Sequence, residues 1–464
     1  MKTGSFFTLA TATAGFLGHA VAIDVDFTSS ASVKSAASSI AYDLMTYYTG
    51  NISGEYNIPG LLEQPPSGYY WWQAGAMWNT MLDYWHITGD TSYNEVVSQA
   101  LVFQVGDDQD YMPANQTKAL GNDDQGFWGM AAMTAAEYNF PNPPSTGPQW
   151  LALAQAVFYT QAERWDTAHC LGGLKWQIYP FNVGYDYKNT ISNGIFFNLG
   201  ARLARYTGND TYAAWAEKTW DWVNTTGLID SEYNIYDGTD DLTNCTTINH
   251  VQYSYNAGVW LLGAATMYNL TGTDVWKARV QGLLDRSITV FSDNATGVIV
   301  ESCELTSPAS CNTDQKSFKA YLTRWMASTT KLAPFTYDTI SAFLLVSAKA
   351  AAAQCTGGTL SRACGLKWVT SGKTGVWDGT TGVGEEMSAL EVIQSTLIQD
   401  SAAPVTNTTG GTSVGNYDAG STSKDAAAVA NDWTPTTGDK AGAGVLTAVM
   451  LAGVIGGVGW MSID

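Results

Sequence analysis

Basic residues are scarce in this chain. Its 464 residues hold 22 Lys and Arg against 42 Asp and Glu, a formal charge of −20, and only 14 % of positions are charged at all. A surface so poor in cations argues against nucleic acid or an anionic membrane face as partner. Histidine is scarcer still, with four residues, and none of the six cysteines stands in C-x-x-C spacing. No metal and no cofactor is therefore expected. Strand-like alternation is nearly absent between 29 and 400, which excludes a sheet-built fold. Aromatic rings are plentiful instead: 18 Trp, 24 Tyr and 15 Phe. Most will be core. Many rings with few cations nevertheless suit a neutral partner such as carbohydrate, whose sugar faces stack on them.

The two ends read as targeting signals. Lys2, the apolar run from Phe6 to Leu17 and Ala20-Val21-Ala22 form a secretory leader over 1–22. The cysteines then fit an oxidising compartment, and the expected pairs are Cys303–Cys311, Cys355–Cys364 and Cys170–Cys245. Sequons at Asn51, Asn115, Asn209, Asn224, Asn244, Asn269, Asn294 and Asn407 mark expected surface. Residues 401–440 are rich in Ser, Thr, Gly and Ala and read as a disordered linker with the attachment region of a GPI signal. The apolar tail at 441–464 lacks a basic stop-transfer cluster, so a GPI anchor is preferred over a membrane-spanning helix.

A repeat organises the middle of the chain. Thr88-Gly89 is followed by Tyr93, Thr207-Gly208 by Tyr212 and Thr271-Gly272 by Trp276, with Thr146-Gly147 and Trp150 as a looser copy. The glycines recur about every 60 residues, the length of one long helical hairpin. Gly ends a helix in left-handed geometry and the polar residue after it starts the next. Residues 23–400 then hold about six hairpins, and six that close on themselves make an all-α (α/α)6 toroid. An open solenoid fits the same period; loops rich in glycine and aromatics favour the closed form. Four of those loops begin inner helices: 68–78, 121–128, 184–194 and 251–258.

The second of them carries the candidate chemistry. In Gly121-Asn122-Asp123-Asp124-Gln125-Gly126-Phe127-Trp128, Asn122 reads as an N-cap, Gln125 as its capping partner, and the aspartates as first-turn acids. Glycosidic cleavage needs one carboxylic acid for the leaving oxygen and one carboxylate at the anomeric carbon. Adjacent helical positions diverge by about 100°, which favours the shorter carboxyl spacing of retaining enzymes. A second cluster, Asp107-Asp108-Gln109-Asp110, reads as a solvated acidic loop. Trp71, Trp72 and Trp128 stand at loop–helix mouths as candidate sugar platforms.

The run from 121 to 128, with Ala135-Ala136-Glu137 behind it, resembles glycoside hydrolase family 76, the endo-α-1,6-mannanases, and in particular its fungal GPI-anchored cell-wall branch. Trp71-Trp72-Gln73-Ala74-Gly75-Ala76-Met77-Trp78, residues 188–194, residues 253–258 and Gly382-Val383-Gly384-Glu385-Glu386 through Glu391 extend the likeness over about 30–400. The resemblance implies an (α/α)6 barrel and retention, with Asp123 as nucleophile and Asp124 as acid/base. Trp72, Gln125, Trp128, Asn193, Tyr253 and Asn256 are the expected substrate-binding residues, because they stand at the matched junctions; Gln125 either binds sugar or only caps. The implied ligand is α-1,6-mannan or the mannose of a GPI glycan. Transfer to wall glucan is the alternative to hydrolysis. A non-catalytic wall protein is the alternative of another class, against which two adjacent acids speak.

Overall fold

The computed structural model describes residues 23–52, 58–64, 68–306 and 310–420. The leader expected at 1–22, the rest of the expected linker from 421 to 440 and the expected apolar tail at 441–464 lie outside the described residues. Among them, twelve α-helices follow one another: α1 (Ser30–Met45), α2 (Trp71–Thr88), α3 (Asn94–Phe103), α4 (Asn122–Glu137), α5 (Trp150–Glu163), α6 (Thr190–Thr207), α7 (Asp210–Thr225), α8 (Ser254–Thr271), α9 (Asp274–Val290), α10 (Phe318–Leu332), α11 (Tyr337–Gln354) and α12 (Val383–Gln394). The even-numbered helices form the inner ring. Each packs on the next, and α12 returns to α2, so the ring is closed. The helices α3, α5, α7, α9 and α11 lie outside, each against the inner helix before it, and α1 covers α12. The toroid expected from the period is present, with the open solenoid excluded by the α12–α2 contact.

The hairpin repeat has a simple physical basis. Gly89, Gly208 and Gly272 end α2, α6 and α8 in left-handed geometry, with φ of 79°, 71° and 64°. The threonine before each glycine reaches back to its own helix. Thr88 Oγ1 donates to the Tyr84 carbonyl at 2.6 Å and accepts from Asp90 N–H at 3.2 Å. Thr207 and Thr271 repeat both bonds. The looser copy does not belong: α4 ends at Glu137 with Tyr138 as its C-cap, and Gly147 lies in a longer connection without positive φ.

Glycines also let the inner helices close together near their N-termini. A Cβ on Gly75 of α2 would lie 2.8 Å from the Trp128 ring of α4. On Gly126 of α4 it would meet Ile195 of α6 at 2.5 Å, and on Gly194 of α6, Val259 of α8 at 2.6 Å. The small residue in each matched motif is thus the seat for the next inner helix. At the opposite end, buried ion pairs close the floor. Arg202 meets Glu137 at 2.7 Å, and Arg324 meets Asp83 at 2.7 Å and Glu391 at 2.6 Å, around a cavity of about 20 Å³.

Three disulfides, Cys170–Cys245, Cys303–Cys311 and Cys355–Cys364, tie the connecting loops as expected. Seven of the eight sequon asparagines are exposed and Asn209 is half-buried. A small antiparallel sheet was not foreseen: β1 (Tyr187–Asn189), β2 (Gly238–Asp240) and β3 (Ile248–Asn249) pair in that order at the mouth of α6. Residues 401–420, whose composition is that of a linker, form a strap along the barrel. Val405 N–H donates to the Glu137 carbonyl at 2.8 Å, and Asn407 N–H to the Tyr206 carbonyl at 3.0 Å. Ser413 then accepts from Leu151 N–H at 2.9 Å, and Asn416 N–H donates to Gln155 at 2.7 Å. Among the described residues no helix is long and apolar enough to cross a membrane.

Candidate active site

All six inner helices begin at one rim, so their first turns and the loops before them surround a single cleft. The helix α4 starts one residue earlier than its sequence signal. Its N-cap is Gly121, and the closing bond comes from Asp124, whose Oδ2 accepts Gly121 N–H at 2.7 Å. Asp123 Oδ1 accepts the Asp124 N–H at 3.1 Å, and Asp123 Oδ2 accepts Asn189 Nδ2–H at 3.3 Å. Asn189 is held in turn: it caps α6 by accepting Ser192 N–H at 3.2 Å. Both aspartates are half-buried. Both crowd Gly121, where a Cβ would stand 2.3 Å from Asp123 Oδ1 and 3.2 Å from Asp124 Oδ2. These two oxygens therefore lie no more than about 5.5 Å apart, compatible with the ~5–5.5 Å spacing of retaining glycosidases.

Desolvation dominates the electrostatics. Burial raises Asp124 to about 7, opposed by the Gly121 N–H and assisted by the Asp314 carboxylate. Burial also raises Asp123 well above the usual carboxylate range; the Asp124 charge adds to the rise, and the N–H donors oppose it. Two carboxyls so close cannot both ionise cheaply, and the pair tends to hold one proton. Asp123 has two N–H donors from different elements, whereas Asp124 has one and faces a further acid.

The cleft has members that the sequence did not announce. Asp314, in the loop before α10, accepts Trp72 Nε1–H at 3.1 Å and is raised by burial to about 6. Asp237 accepts the Tyr187 hydroxyl at 2.7 Å and Asn249 Nδ2–H at 3.1 Å, and burial raises it. The Tyr255 hydroxyl feels Asp237, Asp123 and Asp314, and its ring stacks on Phe318 at 3.8 Å. Asp314 and Asp237 sit in aperiodic loops, where a lone acid carries no signal.

The six expected substrate-binding residues divide. Trp72 and Tyr253 belong to the aromatic wall, with Trp72 against Phe127 at 4.6 Å and Tyr253 against Phe318 at 5.5 Å. Asn256 is fully buried beneath it, and its side-chain amide meets no protein partner among the described residues. The other three are committed elsewhere. Gln125 faces outward, donating to the Asp110 carbonyl and to Thr160 at 2.9 Å each and accepting from Arg164. Trp128 is fully buried between Trp71, at 5.0 Å, and Tyr111, at 5.6 Å. Asn193 bonds both backbone groups of Leu174, at 2.7 and 3.0 Å, and so pins a loop. Trp71 is likewise buried, its Nε1–H on Gln104 at 2.9 Å. In the second acidic cluster Asp107 and Asp108 are exposed as expected, but Asp110 is buried and raised to about 6.

A closed ring of six helix pairs, five of them hairpins and the sixth α12 with α1, with two adjacent half-buried acids in its rim cleft, defines a toroidal glycoside hydrolase. The sequence profile of Glycosyl hydrolase family 76 matches residues 32–408, and the chain belongs to that family. It is 47 % identical over 447 residues to the mannan endo-1,6-alpha-mannosidase DCW1 of Saccharomyces cerevisiae, covering 95 % of each chain. The crystal structure of Dfg5 from Chaetomium thermophilum in complex with glucosamine is 50 % identical and superposes with a TM-score of 0.82, over 87 % of this chain and 98 % of that one. A variant of the alpha-1,6-mannanase GH76A of Salegentibacter sp., inactivated at two adjacent aspartates and bound to alpha-1,6-mannotriose, shares the fold. Its TM-score is 0.63 at 16 % identity, over 79 % of this chain and 99 % of that one.

Proposed function

We propose that this glycoside hydrolase is a retaining endo-α-1,6-mannosidase that cuts α-1,6-linked mannose with Asp123 as nucleophile and Asp124 as acid/base. The observation that carries the reading is the convergence of these two carboxyls over Gly121, whose facing oxygens lie no more than about 5.5 Å apart, which favours retention over inversion. In the first step Asp123 attacks the anomeric carbon while Asp124 gives its proton to the leaving oxygen. In the second, Asp124 takes a proton from water, which displaces Asp123 from the same carbon. Two inversions restore the α configuration. The N–H donors on Asp123 support its ionised form, and burial with Asp314 nearby supports the protonated form of Asp124. Tyr253 and Tyr255, half-buried at the mouth of α8 and backed by the buried Phe318 and Trp72, offer ring surface for sugars.

Mannan is the substrate named for the yeast relative, and the identity over 95 % of both chains supports it here. No observation favours transfer to glucan over hydrolysis. The leader and the C-terminal signal support secretion and GPI anchoring at the cell surface or wall. The test is digestion of unbranched α-1,6-mannan oligosaccharides by residues 23–420, followed by proton NMR of the new reducing end. The α anomer should form first, and Asp123→Asn and Asp124→Asn should each abolish it. A β anomer formed first, or products from both variants, would sink the assignment.

A further inference from the structure

We propose that Asn189 is the positioning residue of the nucleophile: its side-chain amide, set by the start of α6, holds the Asp123 carboxylate in its attacking orientation. The inference rests on the reading of Asp123 as nucleophile.

The Asn189 amide works in two directions at once. Its Oδ1 accepts Ser192 N–H at 3.2 Å and so caps α6, while its Nδ2–H donates to Asp123 Oδ2 at 3.3 Å. Turning the amide over would set its oxygen against the carboxylate and its NH2 group against the Ser192 N–H. The cap therefore dictates that a donor faces Asp123. The other carboxylate oxygen, Oδ1, takes the Asp124 N–H at 3.1 Å. One oxygen is thus tied to α4 and the other to α6, and rotating the carboxyl out of its plane would break both bonds.

The run 188–194 supplies the mount. Lys188 Nζ is fully buried, donates to the His169 carbonyl at 2.8 Å and the Gly172 carbonyl at 2.6 Å, and meets the Asp166 carboxylate at 3.2 Å. Asn189 closes β1 opposite Gly238, and the next residue, Thr190, donates its N–H to the Asp237 carbonyl at 2.8 Å. Asn193 Nδ2–H donates to the Asn189 carbonyl at 2.8 Å while its Oδ1 accepts Leu174 N–H at 2.7 Å. Asn193 thus serves the site through Asn189, and the small sheet holds the residue that bridges α6 to α4.

No other neighbour can do this work. Asp123 faces Asp124 on its own helix and the Tyr255 hydroxyl from α8, with Asp237 and Asp314 around that hydroxyl. None of these attracts a negative charge. The backbone N–H groups of the first turn and the Asn189 amide are what favour the ionised carboxyl.

The test follows kcat/KM across pH in wild type, Asn189→Ser, Asn189→Asp and Asn189→Ala, on α-1,6-mannotetraose and on a dinitrophenyl α-1,6-mannobioside whose leaving group needs no proton. Serine keeps the cap but is too short to reach Asp123. Loss of a hydrogen bond to a carboxylate should move the acid limb up by about one pH unit, roughly a tenfold loss on that side. Asn189→Asp also keeps the cap, sets an oxygen against Asp123 and should move the limb further. Asn189→Ala should match the serine limb but melt lower, which separates the donor from the cap. Both substrates should lose alike, because attack by Asp123 is common to them. An unmoved limb in folded serine and aspartate variants would overturn the proposal. A loss confined to the tetraose would place the effect on the proton donor and overturn it too, as would a raised KM with the limb unmoved, the mark of a sugar contact. A wild type that cleaves neither substrate would instead overturn the mannosidase reading itself.

Discussion

Replacing Gly121 by alanine should disable the enzyme without unfolding it. The backbone there has φ −96° and ψ 163°, a region open to any residue, so alanine adds no backbone strain. The new methyl would instead stand 2.3 Å from Asp123 Oδ1, 3.1 Å from the Trp176 carbonyl oxygen, which needs to yield by only a few tenths of an ångström, and 3.2 Å from Asp124 Oδ2. Ordinary contact requires the Asp123 carboxyl to retreat by about 1 Å, and a displacement of ~1 Å at a reacting group can cost ~100-fold in rate. That is about 2.7 kcal/mol of transition-state stabilisation. The loss of a glycine N-cap should lower stability by no more than ~1 kcal/mol. The assay is kcat/KM on α-1,6-mannotetraose beside a thermal melt. A hundredfold fall in kcat/KM with Tm lowered by a few degrees is the expected pair of results. An alanine variant within threefold of wild type would refute the argument, because the carboxyl would then tolerate the shift.

Three further outcomes follow from the fold. Burial raises Glu386 to about 8 in the folded protein from an ordinary 4.5, so its contribution to stability is complete below 4.5 and lost as pH rises through about 8. Wild-type Tm should decline between about pH 4.5 and 8, and Glu386→Gln should flatten that decline; an unchanged slope would remove Glu386 as its cause. Glu137→Ala strands the buried Arg202 guanidinium and should cost ~3–5 kcal/mol in denaturant unfolding, and a loss below ~1 kcal/mol would show the floor ion pair to be dispensable. Ending the chain at Asp400 removes the strap and its bonds to Glu137, Tyr206, Leu151 and Gln155, so Tm should fall relative to a chain ending at Gly420, and equal melts would make the strap ornamental.

The fold was legible wherever a backbone requirement repeats. Gly89, Gly208 and Gly272 each answer one demand, a left-handed helix end, and their spacing alone yields the hairpin length. Gly147 satisfies the pattern but not the demand, which is why that copy fails. The acid pair was legible because Asp123 and Asp124 share one helix turn. The orientation of their neighbours was not. An inner helix is buried on nearly every side, so α4 has no polar face to reveal that Gln125 and Trp128 look away from the cleft. Asp314 reaches the site through a contact with Trp72, 242 residues away in sequence, and no local pattern encodes such a meeting. The strap at 401–420 misled for a related reason. Its order comes from main-chain bonds to the barrel, which Ser, Thr and Gly can make as well as any residue.

The seam between α1 and α12 has a consequence for how the molecule comes into being. The first helix to leave the ribosome packs on the last inner helix, and Asp43 of α1 grips Arg362 at 2.7 Å across 319 residues of chain. Until α12 is synthesised, the stripe of Val33, Ala36, Ala37, Ile40 and Leu44 lacks its main cover, because α1 touches α2 far less than α12. Five hairpins can stack as they emerge, each against its predecessor, but the ring stays an open arc with two sticky ends. Closure is a late, long-range event, with a high entropic cost and an exposed apolar edge while it is pending. The helix born first is thus the last to be buried, and damage at either terminus of the barrel is damage to the same joint.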